Sequence, residues 1–248
     1  MILYSNASIA SVLKSRANPK FNNFAIALKS GSETFPLPAQ FDTFLDRALN
    51  VLVIREANRD SLETGRKMVD VYHGAVDEAK KRLGVVGVKA AEAKRGKLKL
   101  VFNLDRMGTA GNGGNSADGK NGNDTVQAGW FQNEGWRSDA HKNLPGFALL
   151  YNTFPDADSF LMIDDDSYVF LDGYLNSQSD TVQAKNPPIA QGGMGILISR
   201  GAIQAMIQVV DQCVVQYDDC WAGDVRVGLC LRDAKVRLKH TPGFNGWP

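Results

Sequence analysis

Three successive carboxylates, Asp164-Asp165-Asp166, stand directly behind the apolar run Phe160-Leu-Met-Ile163. A strand that ends in acids opens, in an α/β sheet, into the crevice at the carboxyl edge of the strands, where ligands bind. Adjacent acids repel one another and raise each other's pKa unless a cation offsets their charge. Hard oxygen donors of this kind select Mg²⁺ or Mn²⁺, which keep positions open for phosphate oxygens. The plainer reading is a solvated acidic turn, and the apolar Tyr168-Val-Phe170 that follows weighs against it.

Two further motifs follow in order. Gly192-Gly193-Met194-Gly195 lets the backbone approach a ligand closely or take a positive φ, although turns need glycine too. Asp224 heads an apolar helix in Gly223-Asp224-Val-Arg-Val-Gly-Leu-Cys230, where an acid serves either as an N-cap or as a catalyst. Two chemistries fit a strand ending in Asp-x-Asp. One is glycosyl transfer from a nucleotide sugar. The other is phosphoryl transfer to the first aspartate, since Leu161-Met-Ile-Asp-Asp-Asp superficially resembles the first motif of haloacid-dehalogenase-type phosphatases. That motif belongs early in the chain and needs a second acidic motif. Here it lies two-thirds along, and Gly223-Asp224 is followed by Gly228 where an acid is required.

The elements that position these residues alternate. Phe24–Leu28 and Val51–Ile54 read as buried strands, the first ending in a Lys29-Ser30-Gly31-Ser32 turn. Residues 60–83 read as a helix, with Asp60 or Ser61 as N-cap, Leu62, Met68, Val69, Tyr72 and Val76 as its apolar positions, and Gly84 as its stop. Leu98–Phe102 reads as a strand, and Leu144–Asn152 as a helix with Pro145 in its first turn. Asp158–Ile163 is a strand, Ile189–Ser199 holds another, Gly201–Val215 and Asp224–Leu231 are helices, and Val236–Lys239 is a late strand. This order favours a mostly parallel α/β sheet flanked by helices. The Gly/Asn-rich stretch at about 107–125 cannot bury a core and reads as a flexible loop within a single domain spanning 1–248.

The chain has 248 residues, 44% of them hydrophobic and 22% charged, which excludes wholesale disorder. Its net charge of +1 gives no global pull toward nucleic acid or an anionic membrane. No apolar run reaches the roughly 18 residues a membrane span needs, and no signal peptide is legible. Cys213, Cys220 and Cys230 are too few for a disulfide scaffold and lack zinc spacing. They are either buried free thiols or one local bridge with a leftover thiol.

The three motifs in register, Ile163-Asp-Asp-Asp-Ser-Tyr-Val169, Gly192-Gly-Met-Gly-Ile-Leu-Ile-Ser199 and Gly223-Asp-Val-Arg-Val-Gly-Leu-Cys230, resemble glycosyltransferase family 31. That family includes the Fringe enzymes and β1,3-galactosyl- and N-acetylglucosaminyltransferases. Its patterns run DDD-x-(Y/F)-V, GGAG and (E/D)-D-V-x-(V/I)-G. The likeness covers about residues 129–246, and Gly135-Trp-Arg-Ser-Asp-Ala-His-Lys142 is similar to the fungal-type branch. The resemblance implies a GT-A-type, Rossmann-like fold and Mn²⁺- or Mg²⁺-dependent inverting transfer from a UDP-sugar to a glycan or glycoprotein hydroxyl, in a β1,3 linkage. It implies Asp166 as metal ligand with Asp164 beside it, and Asp164 and Asp165 facing the nucleotide sugar. Asp224 becomes the general base, Gly192, Gly193 and Gly195 line the crevice, and Lys29 and Ser30 hold the nucleotide. It also implies a Golgi-lumenal or secretory setting, in which Cys213–Cys220 is the expected bridge, leaving Cys230 over.

Three departures accompany the likeness. Met194 replaces the usual Ala, Gly223 replaces an acid, and the chain stops at Gly243-Phe-Asn-Gly-Trp-Pro248, before the later segment whose histidine completes the family's metal site. None of His73, His141 and His240 stands in the matching context, so none is assigned to the metal. With no anchor visible, the expectation is a catalytic fragment, an incomplete gene product or a divergent soluble copy. A second reading is therefore a catalytically incomplete relative that binds or assembles, and a metal-dependent phosphatase is the third.

Overall fold

A computed structural model of the chain describes residues 21–31, 40–55, 59–60, 67–102, 134–165, 167, 182–183, 195–220 and 222–240. The expected Gly/Asn-rich loop at about 107–125, Asp166, Gly192, Gly193 and Met194 lie outside the described residues.

Three strands form the centre: β1 (Phe24–Lys29), β2 (Asn50–Arg55) and β5 (Ser159–Asp164). Each is an apolar run because both of its faces are covered. Ala25, Ala27, Leu52, Ile54, Phe160 and Met162 enter one buried cluster. Phe24, Ile26, Leu28, Val51, Val53, Leu161 and Ile163 enter the other. This is the period-two alternation of a strand, apolar on both sides as parallel sheets require. With β3 (Arg59–Asp60), β4 (Lys67–Asp70) and β7 (Ile196–Ser199) they form a six-stranded sheet of order β3-β4-β2-β1-β5-β7. β1 pairs in parallel with β2 and β5, and β2 with β4. β3 and β7 close the edges antiparallel. A second, two-stranded ladder joins β6 (Val182–Gln183) to β8 (Lys239–His240).

One face of the sheet carries the helices α1 (Ala75–Phe102), α2 (Glu134–Thr153), α3 (Arg200–Ile207), α4 (Val210–Gln216) and α5 (Gly223–Asp233), through such residues as Ala79, Phe147, Ile203, Val214 and Leu229. The other face is covered by Phe21 and by Phe41, Phe44, Leu45 and Ala48, around a short 3-10 turn at Leu45–Arg47. The mostly parallel α/β arrangement expected from the order of elements, Rossmann-like as the resemblance implies, is the one observed.

Several local expectations are corrected. The helix expected over 60–83 is instead β3, β4 and the start of α1. Met68 and Val69 pair with Val53 and Ile54, a partnership far along the chain that local periodicity does not reveal. Gly84 breaks α1 at φ 65°, and the helix then resumes through Phe102, carrying the expected strand 98–102 with it. The residues between hold three Ala and four Lys, which propagate helix readily. α2 starts at Glu134 and holds Pro145 in its interior. Burial of Lys142, Leu144, Phe147 and Leu150 outweighs the hydrogen bond that proline forgoes. The helix expected over 201–215 is split into α3 and α4, and Val236–Leu238 is not strand.

The expected bridge is also corrected. Cys213 on α4 is bonded to Cys230 on α5, and Cys220 is a buried free thiol. Cys213 meets Cys230, and about one turn further along Gln216 and Tyr217 meet Asp233, so the cysteine beside Cys213 lies one helix away and not in the intervening turn. Tyr217 reinforces the same contact between α4 and α5, its hydroxyl donating to Asp233 Oδ2 at 2.6 Å. Burial, with Asp233 adding to it, holds the phenol well above the usual tyrosine range.

Candidate functional site

The carboxyl ends of the parallel strands gather at one edge of the sheet. Lys29 and Asp164 are cross-strand partners in the β1–β5 ladder, so their side chains leave the same face. Lys29 Nζ lies 2.7 Å from Asp164 Oδ1 and donates to Asp139 Oδ2 of α2 at 2.6 Å. The lysine is buried, whereas Asp164 and Asp139 are 34% and 40% exposed. Burial alone would pull the ammonium's pKa down. The two carboxylates together outweigh that cost and push it up to about 12.

Ser30, the next residue, sits 2% exposed. Its carbonyl accepts from Lys142 Nζ at 3.0 Å, and its Oγ is buried with no hydrogen-bond partner among the described residues. The Asp165 carbonyl accepts from Gln40 Nε2 on the opposite side of the sheet. Gly195 enters β7 at φ 85°, and a Cβ there would stand 2.7 Å from Ile163 Cγ2 and 2.9 Å from the Met162 carbonyl. Only glycine fits so close to the strand that carries the acids.

Asp224 lies in the first turn of α5, and its Oδ1 accepts from the Val225 amide at 2.7 Å. The N-cap is Ala222, so Asp224 is not the cap that its place in the sequence allowed. Gly223 explains how α5 approaches the site. A Cβ on it would fall 2.1 Å from Asn143 Nδ2 and 3.1 Å from Ala140 Cα. The acid absent from this position has no room against α2.

Residues 139–143 of α2 thus join the parts. Asp139 holds Lys29, Lys142 holds the Ser30 carbonyl, and Asn143 with Ala140 seats the start of Asp224's helix. Lys29, Ser30, Asp164 and Asp224 are brought to this segment, and Gly195 supports the acid strand from behind. Sequence reasoning missed Asp139, Lys142, Asn143 and Gln40. The signals for the first two were the Gly135–Lys142 segment that holds them and their three-residue spacing, which pairs them on one helical face at 3.8 Å.

The donor chemistry of Asp164 and Asp165 suits a hard dication completed by phosphate oxygens. Asp164 is engaged by Lys29 through Oδ1, so a cation ligated by Asp164 would share that carboxylate with the lysine. Among the described residues no three His, Cys, Asp or Glu side chains cluster to hold a metal ion. Among them, too, no helix is long and apolar enough to cross a membrane.

Residues 185–247 match a family model described as a protein of unknown function, DUF604. The matched stretch carries the glycine cluster, Asp224 and the bridged cysteines but not the acidic triplet. No curated protein and no solved structure matches the chain.

Proposed function

We propose that the chain is an inverting, divalent-metal-dependent GT-A-type glycosyltransferase of the family-31 kind, moving a sugar from a UDP-sugar to a glycan or glycoprotein hydroxyl, with a β1,3 linkage. The observation that carries this reading is the shared carboxyl edge. Asp164 and Asp165 end β5 beside Lys29 and Ser30 at the end of β1, where open parallel sheets take nucleotides. α2 docks the helix of Asp224 onto that edge.

In this reading the buried Ser30 hydroxyl is left for a polar group of the nucleotide, and Lys29 fixes Asp164. Asp166, with Asp164 beside it, would hold Mn²⁺ or Mg²⁺, and Asp164 and Asp165 would face the nucleotide sugar. The cation supplies charge neutralisation on the departing diphosphate. Asp224 takes the proton of the acceptor hydroxyl as that oxygen bonds to the anomeric carbon. The carbon–oxygen bond to UDP breaks with its electron pair going to the diphosphate, and configuration inverts. A general base of this type contributes about 10²–10⁴-fold.

Calorimetric titration of UDP with and without Mn²⁺ tests the donor site. Saturable binding that needs Mn²⁺ and is lost in Asp166→Ala is the expected result, and no binding at millimolar UDP overturns it. Asp224→Asn should then retain UDP binding and lose turnover by about 10²–10⁴-fold. Near-normal turnover in that variant removes Asp224 as the base. The Lys29–Asp164 ion pair favours a second reading, a binding domain without catalysis, which predicts Mn²⁺-dependent UDP binding and no transfer to any acceptor.

A further inference from the structure

A cavity of about 350 Å³ lies beside α2, lined on that helix by His141. At about 100° per residue, His141 lies roughly 200° round the helix from Asp139. The cavity is bounded by Tyr72–Asp77, which lead from β4 into α1, and by His141, Val214, Asp218 and Arg226. Its volume falls at the small-metabolite end of ligand pockets.

Arg226 is the anomaly in its wall. The residue is 1% exposed, and its Nε and Nη1 are buried with no hydrogen-bond partner among the described residues. Buried guanidinium groups are ordinarily fully paired, because an unpaired charge in a low-dielectric interior is costly. Asp218 does not serve as that partner. Its carboxylate lies 3.3 Å from His141 Nε2, which also donates to the Asp218 carbonyl at 3.0 Å. Burial lowers the Arg226 pKa to about 10, against the partial opposition of Cys220, Asp218 and Asp219. The group is therefore still cationic at neutral pH.

The start of α1 also borders the cavity, and a helix start favours negative charge, although the Ala75 amide is already given to the Tyr72 carbonyl at 3.3 Å. Asp70 shapes that wall, its Oδ1 accepting from the Tyr72 and His73 amides at 2.8 and 3.0 Å and its Oδ2 lying 2.8 Å from His73 Nδ1. Asp77 and Asp218 add carboxylates to the lining, which are acceptors for hydroxyl or amine groups on the same ligand.

From this geometry we infer that the pocket binds a small molecule through an oxyanion, a phosphate or carboxylate group, seated on the buried guanidinium of Arg226. Planar, bidentate recognition of such groups is what a guanidinium supplies and an ammonium does not. The cavity borders the same carboxyl edge of the sheet, where β4 ends beside β2, and Arg226 stands two residues after Asp224 on α5, but the anion is assigned from Arg226 and not from the proposed donor residues.

The test is thermal unfolding of the whole chain against inorganic phosphate and against acetate, with sodium chloride at matched ionic strength as the baseline. Wild type should gain roughly 5–10 °C at a hundredfold excess over Kd for at least one anion. A response to phosphate alone assigns a phosphate-bearing ligand, and one to acetate a carboxylate. Arg226→Met, folded by circular dichroism, should lose the response. If that variant does not fold, Arg226→Lys carries the test, with binding weaker by about tenfold or more. Asp165→Ala, which alters the acidic edge, should keep it. A response that survives in Arg226→Met or is unchanged in Arg226→Lys overturns the inference. So does loss of the response in Asp165→Ala, or no response to either anion.

Discussion

Lys29 and Arg226 are both buried cations beside α2, and they are treated in opposite ways. Lys29 is held between Asp139 and Asp164 at 2.6 and 2.7 Å, and its ammonium is stabilised despite burial. Arg226 has negative groups near it but leaves Nε and Nη1 without a hydrogen bond among the described residues, and its charge is penalised. The difference separates two uses of a buried charge. The first is internal scaffolding that aligns a strand end with a helix. The second is binding capacity held open for something from outside.

The comparison can be broken most forcefully at Lys29. Replacing both carboxylates, Asp139→Asn with Asp164→Asn, leaves a buried ammonium uncompensated and should cost about 3–5 kcal/mol in urea unfolding. A loss below about 1 kcal/mol would show that the lysine is solvated, and the contrast with Arg226 would collapse.

Next comes alkaline stability. The folded pKa of Lys29 is raised from 10.5 to about 12, so its contribution is complete below 10.5 and is lost as pH rises through 12. The shift corresponds to about 2 kcal/mol, and Lys29→Met should flatten the stability profile in that window.

Gly223→Ala probes the joint between the two regions. Its Cβ must displace Asn143, which costs about 1–2 kcal/mol and shifts Asp224 with its helix. Unchanged stability would mean that the α2–α5 seat is looser than the contact distances imply.

The smallest effect is expected at Arg226 itself. Arg226→Met should leave anion-free stability within about 1 kcal/mol of wild type, or raise it, because an unpaired buried charge is replaced by apolar volume. Loss of several kcal/mol would give Arg226 the same structural duty as Lys29.

Much of the central sheet was legible because its cause is local. Phe24–Leu28, Val51–Ile54 and Asp158–Ile163 are apolar without a break, and a strand buried on both faces must read that way. The carboxyl edge followed from the acids that stop the third run. Apart from 98–102, where local helix propensity prevailed, what was misread failed for one reason. Lys67–Asp70 became a strand through distant pairing, α2 kept Pro145 because its face is buried, and Cys213 found Cys230 because two helices lie side by side.

By itself, then, the sequence determined the α/β class, the acidic end of β5 and the positions of Lys29, Ser30 and Asp224. These depend on residue type and on spacing within a few positions. Only the tertiary structure decided that Asp164 belongs to Lys29, that Gly223 is required by Asn143, and that Arg226 lies buried beside a cavity. Those facts depend on which distant side chains arrive at the same place, and hydrogen bonding and desolvation act through distances of a few ångströms that no local pattern encodes.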